Sequence, residues 1–230
     1  GPFEEHHSGR PARTSPLYDR LLARGAVFGE KLGWERPNWF ASAALGEADH
    51  DVYTYERQNW FAAVGREHAA CRDAAVLIDQ TSFAKFALKG PDALTALDWI
   101  CSNNVRRPVG SLTYTQMLND QGGIEADLTV ARVADDEFYI VTGTGFATHD
   151  FDWIARNLPV GADAHLIDVT SAHAVLSLMG PRAREVLQAV TRDDVANAAF
   201  PFGQCRRIVV AGAPLRALRK LASYFEAEIQ

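Results

Sequence analysis

Asp127 is the residue whose setting most invites chemistry. It follows the Gly122-Gly123 turn on an apolar stretch and is flanked by Ala126 and Leu128. A carboxylate between such neighbours is expected to be buried, which raises its pKa and makes its charge adjustable for acid–base work. The same pattern also fits an aspartate near a strand start that satisfies turn amides, and spacing alone favours that plainer role. Gly143-Thr144-Gly145 lies between a strand pattern and a helix pattern, the outline of a phosphate-binding loop, but no third glycine stands at the required offset. His149 and His173 have no partner at metal-ligand spacing and read as surface or core histidines. Cys71, Cys101 and Cys205 are odd in number and far apart. They have neither disulfide-framework nor zinc spacing, so buried thiols in a reducing compartment are expected.

The elements that must carry these residues are organised as a repeat. Leu77-Ile78-Asp79-Gln80-Thr81-Ser82 is answered by Leu166-Ile167-Asp168-Val169-Thr170-Ser171. Each copy continues through an apolar strand, Phe83 to Lys89 and Ala172 to Met179, into Gly90-Pro91 or Gly180-Pro181. Glycine permits a sharp exit from the strand, and proline is suited to a first helical position. Ala93, Leu94, Leu97 and Ile100 then fall at helical spacing, as do Ala183, Val186, Leu187 and Val190.

After the first helix, strands are expected at Tyr114 to Leu118, Ile124 to Val133 and Phe138 to Thr142, with a helix from Thr148 to Leu158. The fold class read from this order is α+β, a duplicated split β-α-β (ferredoxin-like) unit with helices on one side. The second copy reaches a strand at Cys205 to Ala211 and then a tail, Arg216 to Gln230, whose composition looks helical. The hairpin and closing helix of the first copy are expected to be absent there, making the second unit incomplete. Together with an opening on Gly1 and a polar stretch to Arg13, this reads as a piece excised from a longer chain. The first sixty residues differ in kind. Thr14 to Ala23 looks helical, with Ser15 as a cap, and Trp34, Trp39 and Trp60 require a surface to pack on, either here or in an absent domain.

With 23 basic and 29 acidic residues the chain carries a net charge of −6. That balance, without a basic stripe, argues against nucleic acid or an anionic membrane as partner. No apolar run approaches a membrane span and no secretory leader is visible.

Several segments resemble one family. Arg10 to Asp19, Gly25 to Gly29 and Gly33 to Phe40 are similar to the junction in dimethylglycine and sarcosine dehydrogenases, where a flavin-containing half meets a folate-binding half. Asp79 to Phe86, Tyr114 to Asn119, Gly122 to Val130, and His149-Asp150 before Trp153 are similar to the aminomethyltransferase (glycine cleavage T-protein) domain that forms the folate half. The resemblance implies a junction segment at 1–60, a partial folate-binding domain at 61–219 and a non-matching tail at 220–230. It implies tetrahydrofolate as cofactor and a small methylated amine as substrate, with FAD confined to an upstream domain that is absent. The compartment implied is bacterial cytoplasm or mitochondrial matrix.

In that family an amine is oxidised at flavin, and the iminium or formaldehyde equivalent is captured as 5,10-methylene-tetrahydrofolate. Asp127 is then the catalytic carboxylate that orients and protonates the reacting nitrogens. Tyr114 lines the pterin slot, and Leu128 and Thr129 lie beside the folate through their backbone. Phe83 stands where a sulfur-containing residue is often found. The family's Tyr-x-Gly-Glu-x-Gly segment after Arg219 is replaced by Lys220 to Glu226, so Tyr224 and Glu226 do not inherit its role. Three readings follow: the folate-dependent half of an amine dehydrogenase, a non-catalytic regulatory or scaffold relative, or an inactive fragment.

Overall fold

The structure, a computed structural model, describes residues 5, 7–221 and 224–229. The chain begins with α1 (Tyr18–Leu22), the hairpin β1 (Ala26–Lys31) and β2 (Trp34–Phe40), and α2 (Phe61–Asp73). The first repeat supplies β3 (Val76–Asp79), β4 (Ala84–Lys89), α3 (Ala93–Ile100), β5 (Leu112–Leu118), β6 (Ile124–Arg132), β7 (Glu137–Thr142) and α4 (Ala147–Asn157). The second supplies β8 (His165–Asp168), β9 (Ala174–Met179), α5 (Ala183–Val190), β10 (Gln204–Val210), β11 (Ala213–Leu221) and β12 (Tyr224–Ile229).

Two five-stranded sheets result, ordered β5-β6-β7-β4-β8 and β10-β11-β12-β9-β3. The orders correspond strand for strand, with one exchange: β3 pairs with β9 of the second repeat, and β8 with β4 of the first. The repeated threonines stitch this exchange. Thr81 Oγ1 accepts the amide of Val175 at 3.2 Å, and Thr170 Oγ1 accepts the amide of Lys85 at 3.1 Å. Asp79 and Asp168 each cap a turn, accepting the amides of Thr81 and Thr170.

Burial alternates as a two-sided sheet requires. Phe86, Leu88, Leu128, Val130, Phe138 and Ile140 face α3 and α4 in one core. Leu112, Ala131, Tyr139 and Val141 leave the opposite face of the same sheet and meet Cys205 and Leu218 of the second sheet. Ile208, Leu215 and Ala217 on the far side of that second sheet pack under Ala183 and Leu187 of α5. The layers therefore run helices, sheet, sheet, helix.

The tail reading is corrected by these contacts. The described residues of the stretch expected to be helix-like, 216–221 and 224–229, are strand: β11 and β12 form the hairpin expected to be absent, with β12 closing onto β9. Arg, Ala, Leu and Lys favour helix locally. Pairing Ile208 with Leu215 and Cys205 with Leu218 instead gives this segment two buried faces, which overrides local preference.

The amino-terminal tryptophans find their surface within the chain. Trp39 is buried against Ala63, Val64 and Trp60 of the α2 region and donates its indole N–H to Asp51 at 2.8 Å. Trp34 is covered by the Arg13 guanidinium, 4.3 Å from the ring. The expected helix from Thr14 shortens to α1, and Ser15 caps nothing: its hydroxyl accepts the amide of Leu17 and donates to Asp79 instead. That bond and the Arg13–Ser171 contact at 3.1 Å strap the amino-terminal segment across both exchange turns.

Candidate functional site

The antiparallel register of β5 and β6 sets Tyr114 opposite Thr129 and Gln116 opposite Asp127. These four side chains share one face by the period-two rule, and Leu128 goes to the other. Leu128 is buried in the core under α3 and α4, so only its backbone borders the site. Thr129 is buried on the site face, while Tyr114 is 60% exposed. Asp127 is exposed as well, which corrects the expectation of a buried carboxylate. Its apolar neighbours Ala126 and Leu128 are buried because they point away from it, and that end of the sheet face lies beyond the patch covered by the second sheet.

Exposure does not leave Asp127 idle. The Tyr114 hydroxyl donates to Asp127 Oδ2 at 2.7 Å across the strand pair. This bond raises the phenol pKa above its ordinary 10.0, with lesser contributions from burial and from the carboxylate charge. The pair thus holds a phenol proton beside an anion at the lip of a cleft.

That cleft, of about 680 Å³, runs along β5 to the junction of the two sheets. Leu112, Thr113, Tyr114 and Thr129 form its floor. Phe202 and Gly203 close one side, brought there because the Leu112 amide donates to the Gly203 carbonyl at 2.8 Å and the Cys205 amide to the Gly110 carbonyl at 2.7 Å. Asn103, which donates to the Tyr114 carbonyl, lies at the rim with Arg107 and Lys220. Sequence reasoning overlooked all of these except Tyr114 and Thr129. The Phe202, Gly203 and Lys220 contributions come from the second repeat and carry no local signal.

A second polar chain reaches the same strand. Asp150, buried at the start of α4, accepts from Thr142 Oγ1 at 2.5 Å and faces His149 Nδ1 at 3.0 Å. His149 Nε2 lies 3.6 Å from Glu125, whose other oxygen accepts from Asn119 Nδ2 at 2.7 Å. Glu125 is the extra residue where the β5–β6 register shifts between Met117 and Leu118, and such a bulge re-aims a side chain. His149 therefore has carboxylates on both ring nitrogens, and no group of residues suited to a metal ion occurs among the described residues.

The remaining candidates resolve as structure. Gly143 has an ordinary extended backbone, and Thr144 spends its hydroxyl on Ser82 at 3.0 Å rather than on a phosphate loop. Phe83 packs partly buried at the inter-sheet core. His173 lies edge-on to Tyr139, and desolvation pushes its pKa below the usual value. Burial raises the Cys205 thiol to about 11 and the Cys101 thiol to about 12. The side chains of Tyr224 and Glu226 lie outside the described residues.

The GCVT N-terminal domain model matches residues 17–224. Human mitochondrial sarcosine dehydrogenase is 37% identical over 254 residues, covering 95% of this chain and 28% of that protein. The mitochondrial pyruvate dehydrogenase phosphatase regulatory subunit of Mus musculus is 36% identical, covering 92% of this chain and 25% of that protein. The chain thus spans about a quarter of the length of these relatives. Glycine cleavage system aminomethyltransferase T from Bartonella henselae superposes with a TM-score of 0.73 at 24% identity, covering 95% of this chain and 54% of that one. No helix among the described residues is long and apolar enough to cross a membrane. With the family model spanning almost the whole sequence, this chain belongs to the GCVT N-terminal domain family, that of the aminomethyltransferases or glycine cleavage T-proteins.

Proposed function

We propose that this chain is part of the folate-dependent half of a sarcosine- or dimethylglycine-oxidising enzyme, with the flavin carried by another part of the parent protein. The observation that carries the reading is the Tyr114–Asp127 pair at the mouth of the 680 Å³ cleft. The cleft suits a reduced folate. Its volume is that of a small-molecule site, its walls include Leu112, Phe202 and the Tyr114 ring, and Thr129, Asn103 and Asp127 offer polar groups around them.

When bound, tetrahydrofolate supplies the nitrogen nucleophiles that accept a one-carbon unit at the oxidation level of formaldehyde. The chain's own task is to hold and charge-stabilise. Asp127 accepts a hydrogen bond, and then a proton, from a nitrogen placed at its free oxygen, since Oδ2 is already engaged by Tyr114. Its negative charge favours any cation that develops there. Tyr114 fixes the carboxylate rotamer and offers a ring face. The Leu128 and Thr129 backbone borders the same edge. On this reading the two sheets are a duplicated split β-α-β unit, residues 61–219 are the folate-binding portion, and residues 1–60 are the link towards the flavin-bearing part. The free thiols fit a reducing compartment, mitochondrial matrix or bacterial cytoplasm.

Calorimetric titration of the chain with tetrahydrofolate tests this directly, beside Asp127→Asn. Saturable binding that weakens by roughly tenfold in the variant is expected, the value of one hydrogen bond to a charged group. Absence of binding by a cooperatively folded chain would sink the catalytic reading and leave a scaffold role.

A further inference from the structure

A single extra residue puts Asp127 on the cleft face. Leu118 shares that face with Gln116 and Tyr114, and Ile124 lies opposite Leu118 on it. Asp127 stands on the same face only three residues after Ile124. A regular strand returns to a face every second residue, so the odd step has to be absorbed, and the bulge at Glu125 absorbs it. Without the bulge, a ladder running on from Leu118 and Ile124 would set Met117 against Glu125 and Thr115 against Asp127. Thr115 is fully buried, on the side of the sheet where Met117 meets the helix-covered core. A slip of one residue would therefore drive the carboxylate from the cleft into the core.

Glu125 is held out of the ladder from two directions. Its Oε1 accepts from Asn119 Nδ2 at 2.7 Å. Asn119 is itself locked into the turn, its Oδ1 accepting the amides of Gln121 at 3.0 Å and Gly123 at 2.8 Å. Oε2 of Glu125 faces His149 Nε2 of α4 at 3.6 Å, an ionic contact rather than a hydrogen bond. The other ring nitrogen is fixed from behind. Nδ1 lies 3.0 Å from Asp150, whose side chain is 2% exposed and takes the Thr142 hydroxyl from the end of β7. A buried carboxylate needs its donors, so Asp150 keeps the Nδ1 proton and sets the orientation of the ring. Nε2 carries a proton towards Glu125 only in the imidazolium form, which places a cation between the two carboxylates.

We propose that His149, acting through Glu125, is the positioning residue that keeps Asp127 on the cleft face. The inference deepens the folate reading above, which gives Asp127 its task. His149 does not line the cleft. Its influence runs from the end of β7 through the first turn of α4 to the bulge, and from the bulge to the register of Asp127 against Gln116.

The test reads the Tyr114–Asp127 bond by nuclear magnetic resonance of the full chain, with tyrosine carrying carbon-13 at Cζ. The Tyr114 resonance is identified by its loss in Tyr114→Phe, and Asp127→Asn marks its position when the carboxylate is gone. Spectra are taken at pH about 6, on the acid side of the histidine range. His149→Gln and Glu125→Gln should each move the resonance towards the Asp127→Asn mark. His149→Lys, which keeps a cation, should recover much of the shift. His149 is half exposed and a glutamine at 125 still accepts from Asn119, so these variants are expected to fold. Tetrahydrofolate affinity is the second readout. Each glutamine variant should lose about threefold, the scale of one partly exposed ion pair, and the double variant no more than either alone. A Tyr114 resonance unmoved in His149→Gln overturns the inference. Losses that multiply in the double variant also overturn it, because His149 and Glu125 would then act independently. A resonance that moves in a chain binding no tetrahydrofolate supports the positioning of Asp127 and sinks the folate reading alone.

Discussion

At the scale of single residues, the site is a shared proton. The Tyr114 hydroxyl donates to Asp127 at 2.7 Å, and the phenol is held above its ordinary pKa of 10.0 first by that bond. For an acid whose folded pKa is raised, the folded state favours the protonated form. The stabilisation is present below the ordinary pKa and is lost as pH rises through the folded one. Because Tyr114 is largely exposed, solvent screens this contribution, and its use is as a probe rather than as a source of stability. The phenolate absorbance difference between the unaltered protein and Tyr114→Phe isolates this one tyrosine. Its midpoint should lie above 10, and should fall when Asp127→Asn is introduced into both backgrounds, since the amide removes the charge. A midpoint that does not move would mean that the two side chains are not bonded in solution. The bond was not visible in the sequence. Asp127 and Tyr114 were each legible as candidates, but their meeting depends on cross-strand register, and the bulge at Glu125 lies between the turn and the pair.

At the scale of elements, the repeated Gly-Pro pairs do more than end strands. Gly90 and Gly180 have φ of +137° and +112°, and each is met by the segment leading into the exchanged strand of its sheet. A Cβ on Gly90 would come to 2.2 Å from the Asp163 carbonyl oxygen, just before β8. One on Gly180 would lie 2.5 Å from the Ala74 oxygen, just before β3. Both clashes are with backbone, so nothing flexible can yield. Gly90→Ala and Gly180→Ala should each cost about 2–4 kcal/mol by denaturant unfolding, from dihedral strain plus displaced chain. Gly161→Ala is the control: its φ is +81° but nothing lies within 4 Å, so about 1 kcal/mol is expected. Equal losses at all three would mean that dihedral strain alone matters and that the close approach does not. The repeat itself was legible because turns fix residue type, as with Asp79 and Asp168 or Thr81 and Thr170. Which sheet β3 and β8 join was not, since nothing local distinguishes pairing with the next strand from pairing with the other repeat. The β11–β12 hairpin was hidden for the complementary reason: its residues favour helix, and only β9 and β10 make it a sheet.

At the scale of the whole molecule, the exchange removes any seam along which the repeats could part. The first sheet is closed at one edge by β8, which the second repeat supplies, and the second by β3, which the first supplies. Leu112, Ala131 and Tyr139 bury their faces against Cys205 and Leu218 across the middle. The cleft at Tyr114 also draws on both halves, with Phe202, Gly203 and Lys220 on one side and β5 on the other. A protein built this way should unfold as one unit despite its internal repeat. Its five tryptophans lie at 34, 39, 60, 99 and 153, none of them in the second sheet, so tryptophan fluorescence reports the amino-terminal hairpin and the first repeat. Far-ultraviolet circular dichroism reports both sheets. The two denaturation curves are therefore expected to coincide in midpoint and slope, and a chain cut after residue 160 should show no cooperative transition, because β3 then has no partner and β4 loses its outer neighbour. Separate transitions, or a folded shortened chain, would mean that each repeat is a self-sufficient unit. The cleft between them would then be an interface that can open, and its affinity for a ligand would depend on the docking of the halves as well as on Tyr114 and Asp127.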